Sequence, residues 1–109
     1  MIAHVVLLKP KPELTDEHRR AIVAELRLAA TAIPSVRRLR VGKRVRHGRP
    51  GYEQLMAQDF EYAVLIEFDD VEGLLAYLAH PQHAAIGMHF VQSAAAALAY
   101  DYEIEEIEE

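Results

Sequence analysis

The chain predicts an α+β domain whose elements run strand, helix, strand, strand, broken helix, strand, and three observations carry that prediction. Residues 2–8 and 61–68 are apolar runs with the length and β-branched content of central strands covered on both faces. After each comes a segment in which apolar residues recur at three- and four-residue spacing, as on one face of a helix. Two further segments alternate apolar with polar residues, the pattern of strands with one wet face. This order is the ferredoxin-like split βαβ arrangement: a four-stranded antiparallel sheet with helices on one face.

In the first strand Ile2, Val6 and Leu8 flank His4 on one face, and Ala3, Val5 and Leu7 form the other. Lys9-Pro10-Lys11-Pro12 ends it. Thr15 or Asp16 caps a helix in which Ile22, Leu26, Ala29 and Ile33 recur until Pro34 stops it. Over residues 35–46, Leu39, Val41 and Val45 alternate with Arg and Lys, which reads as an edge strand blunted by charge. Residues 47–59 carry Gly48, Pro50 and Gly51 with no sustained period, a loop able to close over a pocket. Asp69-Asp70-Val71-Glu72 then caps a second helix that breaks at Pro81. Ile86, Phe90, Ala94 and Ala97 mark the inward stripe of its continuation, and residues 98–107 return to alternation through Tyr100, Tyr102 and Ile104 as the last strand.

The length of 109 residues suits one domain, residues 1–109, with a single core. An apolar fraction of 51% excludes a disordered chain, and no apolar run reaches the roughly 20 residues of a membrane-spanning helix. Without cysteine there is no disulfide, thiolate nucleophile or sulfur-bound metal. The start has no basic region ahead of an apolar one, so a cytoplasmic protein is expected. Of the 12 Lys and Arg residues, seven lie between Arg37 and Arg49, while six of the 17 acids lie in residues 101–109. The basic cluster has neither a recognition motif nor aromatic support, so nucleic-acid binding is not expected. Both faces of the first strand are apolar, and a monomer of this size covers only one, so a two-fold dimer packing sheet on sheet is expected. In such a dimer the basic second strand, with Arg37, Arg38, Arg40, Lys43 and Arg44, would approach the partner's acidic end at Glu103, Glu105, Glu106 and Glu108.

Tyr77-Leu78-Ala79-His80-Pro81-Gln82-His83 concentrates the candidate chemistry. Pro81 cannot continue an incoming helix but starts a new one well, which puts His80 at an N-cap and His83 in the first turn. There the helix dipole disfavours imidazolium, leaving a neutral ring beside a phenol. Capping alone also accounts for His80, and core packing for His4 and Tyr77. His80 and His83 lack an acidic neighbour in sequence and have only His4 as an obvious third ligand, so no metal and no cofactor is expected. Phosphate loops and Ser-centred hydrolase elbows are missing.

The segments Ile2-Ala3-His4-Val5-Val6-Leu7-Leu8-Lys9, Ile33-Pro34-Ser35-Val36, Val41-Gly42-Lys43, Tyr62-Ala63-Val64-Leu65-Ile66-Glu67-Phe68, Tyr77 to His83 and Tyr100-Asp101-Tyr102 together resemble the stress-responsive A/B-barrel (Dabb) family. The resemblance implies homodimers in which two sheets close one barrel with helices outside. It does not imply one reaction, since the family includes members linked to stress tolerance and a branch of plant polyketide cyclases. From that branch it implies a catalytic pair, His83 as base and Tyr77 as its hydrogen-bond partner, with His4 matching the histidine of the first strand; Tyr62, His80 and Phe90 are expected to line the pocket with His4. Tyr62 departs from the pattern, standing where the cyclases present a histidine. The function expected is a pocket that binds, and cyclises or isomerises, a small hydrophobic carbonyl compound of polyketide type. The alternatives are a non-catalytic stress or assembly protein working through its oligomer surface and, borrowing only the fold, a cofactor-free monooxygenase.

Overall fold

The computed structural model describes residues 1–107. Its elements are β1 (Ile2–Pro10), α1 (Asp16–Ala32), β2 (Arg38–Lys43), a 3₁₀ turn (Glu53–Leu55), β3 (Tyr62–Phe68), α2 (Val71–Ala79), α3 (Pro81–Ser93) and β4 (Ala94–Glu103). The strands form one antiparallel sheet in the order β2-β3-β1-β4. The predicted ferredoxin-like class is the one observed.

Local chemistry accounts for most boundaries. Thr15 caps α1 by accepting from the His18 N–H at 3.2 Å, and Asp70 caps α2 by accepting from the Gly73 N–H at 2.8 Å. Pro81 divides the second helical segment into α2 and α3, as expected. In the loop after β2, Gly48 and Gly51 adopt φ of 75° and 87°, a left-handed backbone that other residues reach only at a cost. Asp59 ties that loop back by accepting from Arg44 at 2.7 Å and Arg46 at 2.5 Å.

Alternation sorts the sheet into two faces. Ile2 and Val6 of β1 and Val64, Ile66 and Phe68 of β3 are buried against Ile22, Leu26 and Ala29 of α1, Leu74 and Tyr77 of α2 and Ile86 of α3, and Leu8 is buried on the same face. On the opposite face Ala3, Val5 and Leu7 lie beside Ala63 and Leu65, and across β1 from Leu98, Tyr100 and Tyr102. Among the described residues no helix covers this second face; the β1 and β3 residues there are half-buried and those of β4 exposed.

Two expectations are corrected. The alanines 94–97 do not extend a helix, because α3 ends at Ser93 and these residues open β4. Pairing with β1, Ala97 opposite Leu8 and Ala99 opposite Val6, supplies hydrogen bonds that outweigh the helix propensity of alanine. The last strand consequently spans 94–103, not 98–107, and β2 is shorter at both ends than the 35–46 expected. Most of the basic cluster finds its partners within the chain: Arg37 with Asp69 at 2.6 Å, Arg40 with Glu67 at 3.0 Å, and Arg44 and Arg46 with Asp59. Glu108, placed in the acidic end, lies outside the described residues.

Candidate functional site

The register of β1 against β4 sets His4 directly across from Asp101 on the helix-covered face. His4 is buried, and its Nδ1 lies 2.5 Å from Asp101 Oδ1. With Nδ1–H donating to the carboxylate, a neutral ring keeps Nε2 free as an acceptor. Three-residue spacing along α2 turns Leu74 and Tyr77 inward. Tyr77, 2% exposed, packs on Phe68 at 5.3 Å, His4 at 5.7 Å and His83 at 4.8 Å between ring centroids. The His83 contact is edge-on, and no hydrogen bond between the two side chains is found among the described residues.

Burial and the neighbouring His4 set the protonation of this group. His83 sits in the first turn of α3, with its N–H donating to the His80 carbonyl at 3.0 Å. Its pKa is lowered, first by burial and then by His4, against the opposing pull of the Leu78 carbonyl. Burial pushes the Tyr77 hydroxyl up to about 12. Near neutral pH the pair is therefore a neutral imidazole beside an undissociated phenol. The first turn of α3 is held to α1 through Glu25, whose carboxylate accepts from Gln82 Nε2 at 2.5 Å and lies 3.8 Å from His89 Nε2.

The candidate residues divide into two places. His4, Tyr77 and His83 form one cluster. His80 adjoins it but caps α3, its Nδ1 accepting from the Gln82 N–H at 3.0 Å. Tyr62 and Phe90 instead line a cleft of about 80 Å³ with Leu8, Ile22, Leu26 and Val64. Leu8 is four residues beyond His4, about 13 Å along the strand. The residues expected to share one pocket thus fall into an aromatic cluster and an apolar cleft, and the cleft that Tyr62 and Phe90 line does not include His4, Tyr77 or His83. Among the described residues no group of three or more His, Asp or Glu side chains could hold a metal ion.

Sequence reasoning missed Asp101 and Arg19. Asp101 stands 97 positions from His4, and only the strand register brings them together. Arg19, one turn into α1, donates from Nη1 to the Tyr62 hydroxyl at 3.0 Å. A charged residue directed toward the sheet among the apolar positions of α1 was the signal available.

Solved structures share this fold. A dimeric ferredoxin-like protein of unknown function from Jannaschia sp. CCS1 is 27% identical with a TM-score of 0.75, covering 94% of this chain and 98% of that one. A hydroxynitrile lyase from Passiflora edulis is 19% identical with a TM-score of 0.81, covering 99% and 96%. A Dabb family protein from Mesorhizobium loti is 19% identical with a TM-score of 0.74, covering 96% and 97%. No curated protein sequence gives a significant match. The family profile described as Stress responsive A/B Barrel Domain matches residues 2–104, nearly the whole described fold, and the chain belongs to that family, Dabb.

Proposed function

We propose that the protein is a homodimeric acid–base catalyst that takes a small hydrophobic carbonyl compound at His83 and moves a proton α to the carbonyl, cyclising or isomerising the molecule. The observation that carries this reading is the neutral His83 ring held edge-on to the buried Tyr77 phenol, 4.8 Å between centroids. A ring nitrogen of His83 would accept the α-proton as the C–H electrons pass into an enolate. The Tyr77 hydroxyl would donate to the enolate oxygen. In a cyclisation the enolate carbon attacks a second carbonyl carbon, and the imidazolium returns its proton to the new alkoxide. His4, oriented by Asp101, packs against the Tyr77 ring. The likeness in fold to a protein named as a hydroxynitrile lyase supports an enzymatic reading of this scaffold.

Dimerisation follows from the uncovered sheet face, where Leu98, Tyr100 and Tyr102 are 39%, 54% and 53% exposed. The neighbour from Jannaschia is itself described as dimeric. A second reading, a non-catalytic assembly protein, is favoured by the packing of the cluster, in which Phe68 is 0% and Tyr77 2% exposed. Deuterium incorporation at the α-carbon of small diketones in D₂O separates the two. Acceleration by the wild type that falls by about 10²-fold or more in His83→Ala supports catalysis. Exchange at the uncatalysed rate across such a panel leaves the assembly reading.

A further inference from the structure

Glu25, half-buried on α1, meets α3 at two heights. Its carboxylate accepts from Gln82 Nε2 at 2.5 Å, its backbone carbonyl lies 3.5 Å from the same nitrogen, and His89 Nε2 is 3.8 Å from the carboxylate. Gln82 and His89 are seven residues apart, about two turns, so both lie on the face of α3 that is turned to α1. A contact at one height would leave the helix free to roll about its axis. One side chain that meets the same face at two turns opposes that roll. Other restraints on it are weaker. The break at His80 and Pro81 separates the hydrogen-bond ladders of α2 and α3, so α2 does not fix the rotation of α3. Ile86 anchors α3 to the core, but apolar contact is not directional.

The rotation of α3 matters because of the residue that follows Gln82. His83 lies about 100° further around the helix, edge-on to Tyr77. The Gln82 N–H is taken by His80 Nδ1 at 3.0 Å and the His83 N–H by the His80 carbonyl at 3.0 Å, so the first turn moves as a unit. A side chain reaches about 5–6 Å from a helix axis, and a roll of about 10° therefore carries the imidazole about 1 Å. Misplacement of a reacting group by that much costs on the order of 10²-fold in rate. We propose that Glu25 is a positioning residue for His83: acting through Gln82, it holds the rotation of α3 that keeps the imidazole against the Tyr77 ring. Its effect on rate rests on the reading of His83 as a base; its effect on the placement of the ring does not.

Glu25→Ala, Glu25→Gln and Gln82→Ala, each checked for folding by circular dichroism, test this with two separate readouts. In NMR spectra of Glu25→Ala the His83 ring signals shift and the NOEs between the His83 and Tyr77 rings weaken. Gln82→Ala reproduces the change, and the double variant goes no further, as partners in one contact do. Glu25→Gln keeps an acceptor for Gln82 Nε2 and restores the wild-type signals. In α-proton exchange kcat falls about tenfold or more in Glu25→Ala with KM little changed, and Glu25→Gln recovers it. Gln82→Ala, which leaves α1 untouched, carries the same comparison if Glu25→Ala does not fold. Unchanged His83 signals in a folded Glu25→Ala protein, or a Glu25→Gln protein as altered as Glu25→Ala, would overturn the proposal. So would a lowered Tm with neither the ring nor kcat affected, which marks a merely structural contact. A wild type without exchange activity removes the acid–base reading, and the NMR comparison alone then decides whether Glu25 holds the ring.

Discussion

At the scale of single residues the decisive environment is that of Tyr77, a phenol 2% exposed among Phe68, His4 and His83. Its ring contributes packing, while its hydroxyl has no hydrogen-bond partner among the described residues. Tyr77→Phe should therefore change unfolding free energy by less than about 1 kcal/mol, whereas Tyr77→Ala should cost about 3–5 kcal/mol, both read by urea denaturation. The same burial makes stability depend on pH at both ends. The Tyr77 hydroxyl is raised above 10, so its contribution is present below pH 10 and lost as pH rises toward about 12. His83 is lowered from 6.5, so the unfolded chain binds its proton first, and stability present above pH 6.5 declines as pH falls below it. His83→Gln should flatten the acid side of a plot of Tm against pH, and Tyr77→Phe the alkaline side.

At the scale of elements, how legible each was depended on whether local preference and tertiary pairing agreed. In β1, β3 and α1 they agree: β-branched runs became central strands, and Thr15 with Pro34 bracketed the helix. His80 and Pro81 also acted as their chemistry dictates, ending one helix and starting the next. In Ala94-Ala95-Ala96-Ala97 they conflict, because alanine favours helix while the open edge of β1 offers a ladder of hydrogen bonds. That conflict shortened the expected helix and moved β4 back by four residues. Exposed Ala97 tests it, since Ala97→Val should raise Tm if the segment is strand, by an amount equivalent to a few tenths of a kcal/mol, and lower it if helical. The candidate site was legible where it was local in sequence, and at His4 through the family resemblance. Tyr77 and His83 lie six residues apart and were read together; Asp101 and Arg19 act across the sheet or between layers, and no local pattern marks such partners.

At the scale of the whole molecule the sheet has one face under helices and one apolar face open, which is the physical reason to expect a pair. Leu65, central on β3 and pointing to the open face, is half-buried in the single chain. Leu65→Asp should raise the dimer dissociation constant about tenfold or more in sedimentation equilibrium while leaving the fold intact, because a charge would be buried at the interface without a partner. Arg40 is engaged by Glu67 on the same face, so its attraction to the partner's acidic end should be weaker than the count of charges suggests. The claim that joins fold to function is that the packed molecule keeps His83 neutral against Tyr77, ready to accept a proton. An NMR titration of the His83 ring in the intact wild-type protein measures this directly. A midpoint below the ordinary 6.5, rising when Tyr77→Ala opens the cluster, is the predicted result. A His83 ring that is protonated at pH 7 would contradict it.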